Sequence, residues 1–103
     1  MADAMRIRAQ SQAGNAVVRV LMGHEMETGL RKDDSGSFVA AHYITEVRVA
    51  ADGRTVLQAR LSQAVSQDPL LSFRYRGGKP GDHLQVHWTD SHGDQRSDEA
   101  LVV

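Results

Sequence analysis

The chain contains no cysteine, which excludes disulfides, a thiolate metal site and a cysteine nucleophile. Prolines number two and aromatic residues are 5% of the chain, so any core must be built from Val, Leu, Ile, Met and the single Trp88. Charge of one sign is also missing. Twelve basic residues face thirteen acidic ones for a formal net charge of -1, which argues against phosphate-driven binding of DNA or RNA. No apolar run is long enough for a membrane helix, and Met1 to Arg6 carry an acid without an apolar stretch of signal-peptide type. The bare sequence therefore reads as cytosolic, or as exported by other means.

What is present is alternation. At 103 residues one domain, 1–103, is expected. Met5, Ile7 and Ala9 alternate with Arg6, Arg8 and Gln10, the period of a strand with one wet face. Gly14-Asn15 supplies a turn, and Ala16, Val18, Val20 and Met22 hold one phase of the next strand. On its other phase Val17 and Leu21 flank Arg19, which fits a central strand or one whose outer face a partner covers. Asp52-Gly53 between Tyr43–Ala51 and Arg54–Ser62 suits a type I′ hairpin, since both positions tolerate positive φ. Ile44 and Val47 fall out of phase, so either a bulge intervenes or both faces are covered. Leu71, Phe73 and Tyr75 form another one-sided strand, as do Leu84, Val86 and Trp88, and a last strand ends at Leu101 to Val103. No helix of ten or more residues is expected. Seven short strands in this length predict an all-β, immunoglobulin-like antiparallel β-sandwich.

The least generic stretch is His24 to Asp33, at the start of a long excursion from about Gly23 to Ala40. Connections beyond ~12–15 residues are uncommon in compact domains and usually functional or disordered. Glu27, Thr28, Gly29, Arg31 and Lys32 suit a recognition loop whose charges set register across a protein interface. The chain has five histidines, and Met22, His24, Met26 and His42 resemble a copper-binding set of soft and imidazole ligands. His83 and His87 share a face but stand roughly 13 Å apart at ~3.3 Å per residue, too far to chelate together. Glu25, Glu27, Asp33 and Asp34 read as solvated loop carboxylates, and no catalytic residue is expected because no nucleophile or phosphate cradle accompanies them.

Several segments together resemble the SoxZ family. They are Met-Arg-Ile-Arg from Met5, Val-Arg-Val-Leu-Met from Val18, the loop from His24 with its Met-Glu-Thr-Gly core, and His-Tyr-Ile-Thr-Glu-Val from His42. Asp52-Gly53, Pro-Leu-Leu-Ser-Phe from Pro69, Gly-Asp-His-Leu from Gly81 and a late Asp-Glu-Ala complete the set. The resemblance implies a non-catalytic subunit without a cofactor that heterodimerises with SoxY, whose cysteine arm carries the sulfur intermediate of thiosulfate oxidation. It also implies transient contact with other Sox enzymes, and a periplasmic address reached by export together with SoxY. A chain without cysteine suits that role, since a second accessible thiol would divert the adduct by exchange. The expected partner interface comprises Val17, Arg19 and Leu21 on the second strand, Tyr43 and Ile44 on the third, and His24, Met26, Glu27, Thr28, Gly29, Arg31 and Lys32 in the loop. The alternative expectation is a periplasmic copper-binding sandwich using Met22, His24, Met26 and His42.

Overall fold

The computed structural model describes residues 3–103. Their strands are β1 (Arg6–Gln12), β2 (Asn15–Leu21), β3 (Ile44–Ala51), β4 (Arg54–Arg60), β5 (Leu70–Arg76), β6 (His83–Asp90) and β7 (Gln95–Leu101). They form a three-stranded sheet ordered β1-β2-β5 and a four-stranded sheet ordered β4-β3-β6-β7, with every ladder antiparallel. This is the immunoglobulin-like sandwich that the alternation predicts.

Period-two patterning sends Val18 and Val20 of β2, Val47 and Val49 of β3, and Leu84, Val86 and Trp88 of β6 between the sheets, each at most 1% exposed. Burying each such aliphatic side chain contributes ~1.5–3 kcal/mol before the entropy of ordering it is counted. The phase conflict on the third strand is a bulge: pairing of β3 with β6 shifts register between Ile44 and Glu46. That extra residue brings Ile44 and Val47 onto the same face, and both are fully buried. The outer face of β3 is consequently polar, with Arg48 paired to Glu46 at 3.2 Å.

The Asp52-Gly53 turn has φ of 48° and 84°, as a type I′ hairpin requires. The first hairpin turns one residue earlier than Gly14-Asn15. Ala13 and Gly14 take φ of 52° and 80°, and Asn15 already pairs with Gln12. At the far corner, Gly78 lies so close to β2 that a Cβ there would fall 2.6 Å from the Ala16 nitrogen.

The two long sides of the sandwich differ. On one, β1 packs beside β7, and Val103 ladders onto β1, its amide donating to the Ala9 carbonyl (3.0 Å) and its carbonyl accepting from Ser11 (2.8 Å). On the other, β4 and β5 are edge strands of separate sheets, with the 61–69 connection running between them. There the inward-facing Leu57, Leu61, Val65, Leu71 and Phe73 pack on the core but stay half-buried.

Candidate functional site: a histidine–aspartate knot at the root of an arm

Residues 23–43 form an irregular ribbon, not an unstructured loop. Glu27 and His42 exchange both backbone hydrogen bonds, at 2.7 and 3.0 Å, and the Val39 amide donates to the Arg31 carbonyl (2.7 Å). The tip closes on Asp33, whose Oδ1 accepts from the amides of Ser35 (2.9 Å) and Ser37 (3.0 Å); those bonds hold its pKa below the usual carboxylate value, the Ser35 hydroxyl contributing most. With this arm the molecule measures 53 × 21 × 19 Å.

The root of the arm is fixed at Asp90, the last residue of β6 and 4% exposed. Oδ2 of Asp90 accepts from Nε2 of His24 (3.0 Å) and from Nε2 of His42 (2.6 Å). Oδ1 accepts from the amides of His92 (2.9 Å) and Asp94 (3.0 Å), shaping the β6–β7 turn. Burial works to raise the Asp90 pKa, but the bonds from His24, His42 and the two amides outweigh it and hold it low. The His92 ring stacks on that of His42 with centroids 3.8 Å apart and donates to the Ala41 carbonyl. Trp88 meets His24 edge-on at 5.2 Å, and its indole nitrogen is buried without a hydrogen-bond partner.

His24, His42, Trp88 and Asp90 line a cleft of about 340 Å³ together with Asp3, Glu25, Asp68 and Asp94. His24, His42 and Asp90 place their ligand atoms within 4.8 Å of one another, which raises the question of a metal. His24 resists it: its Nδ1 accepts from the Met26 amide at 3.0 Å, which places the ring proton on Nε2 toward Asp90, and an ion there would have to displace that proton while the amide keeps Nδ1 from taking it up. The carboxylate already receives four donors. The knot is a saturated hydrogen-bond network that ties arm, sheet and turn together.

Of the copper set, His24 and His42 do meet, with ring centroids 4.8 Å apart. The methionines are engaged elsewhere: Met22 is 1% exposed in the core, and the Met26 sulfur accepts from the Ile44 amide at 3.3 Å. Met26 itself takes φ of 51°, a strained value for a side chain of its size.

The expected interface residues divide by placement. Ile44, Met26 and His24 lie in the chain's own interior at 0, 4 and 8% exposure. The bulge turns Ile44 inward, and the Asp90 knot draws in the other two. Val17 and Tyr43 are half-buried, while Arg19, Thr28, Arg31 and Lys32 are exposed and Leu21 sits at the margin with 36%. Gly29 packs against Ala41, so that a Cβ there would lie 3.2 Å from the Ala41 Cβ. Glu27 and Arg31 satisfy one another within the arm through a forked pair of 2.8 to 3.1 Å. Lys32 rides over the Phe38 ring at 5.2 Å, leaving Leu30 and Phe38 as the arm's exposed apolar side chains at 80 and 63%. Asp90 and His92 were not recognisable as site residues in the sequence, where they sit in an ordinary turn cluster. The one available signal was that a turn carboxylate stands directly after a buried strand.

Comparison with solved structures gives the fold. A superoxide reductase in the oxidized state superposes with a TM-score of 0.67 at 12% identity, over 99% of this chain and 89% of the other. A hypothetical protein from Pyrococcus horikoshii OT3 gives 0.67 at 14% identity with the same coverage. A mutant superoxide reductase (neelaredoxin) from Archaeoglobus fulgidus gives 0.66 at 16% identity, over 98 and 89% of the two chains. At these identities the likeness is one of architecture. Comparison with curated proteins returned no match. Residues 5–101, nearly the whole chain, match the family described as sulphur oxidation protein SoxZ, and the chain belongs to that family.

Proposed function

We propose that this chain is the non-catalytic subunit of a sulfur-carrier complex, pairing with SoxY so that the SoxY cysteine arm is presented to the enzymes that load and strip it. The family match over residues 5–101 carries the reading. In support, the imidazole and carboxylate groups that could do chemistry are bound to one another at Asp90, and the chain has no thiol on which to hold sulfur. The complex acts in the periplasm and is exported as a unit with SoxY.

A permanent partner calls for a large apolar contact. We assign it to the margin between β4 and β5, where Leu57, Leu61, Val65, Leu71 and Phe73 pack on the core but stay half-buried. The outer face of β2, where Val17 and Leu21 suggested an apolar contact, is less suited, because arginines of all three strands of its sheet interrupt it. Co-expression with SoxY of the same genome, followed by size exclusion and native mass measurement, tests the function. A stable 1:1 complex is expected; a chain that remains monomeric in the presence of SoxY overturns the reading. Phe73→Ser, with its fold verified by circular dichroism, tests the placement: it should weaken co-purification, while Leu30→Ser on the arm should not.

A further inference from the structure

The outer face of the β1-β2-β5 sheet holds one kind of charge. Strand register puts Arg6, Leu21 and Leu70 in one row, Arg8, Arg19 and Ser72 in the next, then Gln10, Val17 and Arg74, and finally Gln12, Asn15 and Arg76. All five arginines are exposed, and no aspartate, glutamate or lysine shares the face. Arg8 and Arg19 stand directly opposite each other, a like-charge pair that weakens a ladder. The other sheet's outer face is different, with Arg48 beside Glu46 and His83 beside Glu99, both at 3.2 Å. At the Arg6–Leu21 end this face borders acids, where Asp3 and Asp68 line an adjoining cleft.

We infer that this face is a docking surface for a carboxylate-rich surface of another protein, separate from the margin between β4 and β5. Arginine is enriched at protein interfaces while lysine is depleted, because its planar fork matches a carboxylate and stacks well. Val17, Leu21 and Leu70 among the arginines give the mixed apolar and guanidinium texture of such a contact. The surroundings select against long polyanions. With five arginines set apart, a chain of net charge -1 leaves a body of formal charge -6, which repels a nucleic acid strand or an anionic bilayer extending past the sheet. A compact acidic patch meets only the arginines. Neighbouring strands lie ~4.8 Å apart and alternate residues ~6.8 Å apart, so the complementary surface carries carboxylates at about those spacings. A contact of this charge is steered, fast and sensitive to salt.

The probe is a fluorescent peptide of alternating Glu and Ala, titrated into the protein by anisotropy and mapped by amide NMR. Saturable binding is expected, with shifts confined to β1, β2 and β5, and weakening of about tenfold between ~25 and ~250 mM salt. The triple variant R8Q/R19Q/R74Q should lose about tenfold or more in affinity while melting at or above the wild-type temperature, since it relieves the Arg8–Arg19 repulsion. R48Q/R54Q/R60Q on the opposite sheet should stay within about twofold. Absence of saturable binding at low salt, equal losses in the two triple variants, or shifts elsewhere overturn the inference. So does tighter binding of phosphatidylglycerol vesicles or duplex DNA through the same arginines.

Discussion

Replacing Asp90 by asparagine removes a negative charge from the middle of the arm's root with almost no change of shape. In its better orientation the amide keeps its oxygen on the His92 and Asp94 amides and turns its NH₂ toward the two imidazoles. His24 has no way to adapt, because its Nδ1 must stay bare for the Met26 amide, 3.0 Å away; its Nε2–H then faces another donor. The bonds from His24 at 3.0 Å and His42 at 2.6 Å to a buried carboxylate are lost. At ~1.5–3 kcal/mol for each, less ~0.5–1.5 kcal/mol for the neutral bond that His42 alone can regain by moving its proton to Nδ1, D90N should cost about 2–5 kcal/mol. Urea unfolding followed by Trp88 fluorescence measures this, provided both proteins give the same m-value. The pH dependence supplies a second reading. Asp90 is held below its ordinary pKa, so its stabilisation is fully present above the unfolded aspartate value of ~3.9 and is lost as pH falls from there through the folded pKa. Wild type should lose stability in acid more steeply than D90N. A loss under about 1 kcal/mol, or parallel acid profiles, would refute a carboxylate held by two imidazoles.

Burial, reinforced by its hydrogen bond to Asp82, pushes the Tyr75 phenol up to about 12. Ultraviolet titration of wild type against Tyr75→Phe should place the Tyr75 component there, with stability falling as pH climbs from the unfolded value of ~10 toward it; a midpoint near 10 would remove that environment. Gly78→Ala drives a methyl into Ala16 of β2 and should cost ~1–3 kcal/mol or more by overpacking. Gly36→Ala at the arm's tip, with φ of 85° and open space around it, should cost only ~1–2 kcal/mol from backbone strain. Urea midpoints of the two variants decide, and equal losses would mean that the Gly78 approach relaxes freely.

Most of the framework was legible because β-strands advertise themselves by alternation and one turn by its chemistry. Asp52-Gly53 names its own hairpin, and even the Ile44–Val47 phase error pointed to a real bulge. The first turn was misplaced by a residue because Ala13 adopts a left-handed conformation that sequence rules give to Gly or Asn. The site was harder. His24 reads as a loop residue, yet it is drawn inside by a partner sixty-six positions away, and no local pattern links an imidazole to one carboxylate in a later turn. Alternation does send Arg8, Arg19 and Arg74 outward, but only the pairing of β1, β2 and β5 shows that they share one face.

Asp90 belongs at once to the arm's root and to the turn that begins β7, so the arm is clamped to the sandwich at its base while its ribbon bonds stiffen it toward the tip. Its shape is therefore settled before any encounter. A binding partner that reaches Leu30 or Phe38 avoids much of the backbone ordering entropy that a floppy loop would lose, on the order of 1–2 kcal/mol per residue, and the difference should be seen as a smaller entropic penalty on association.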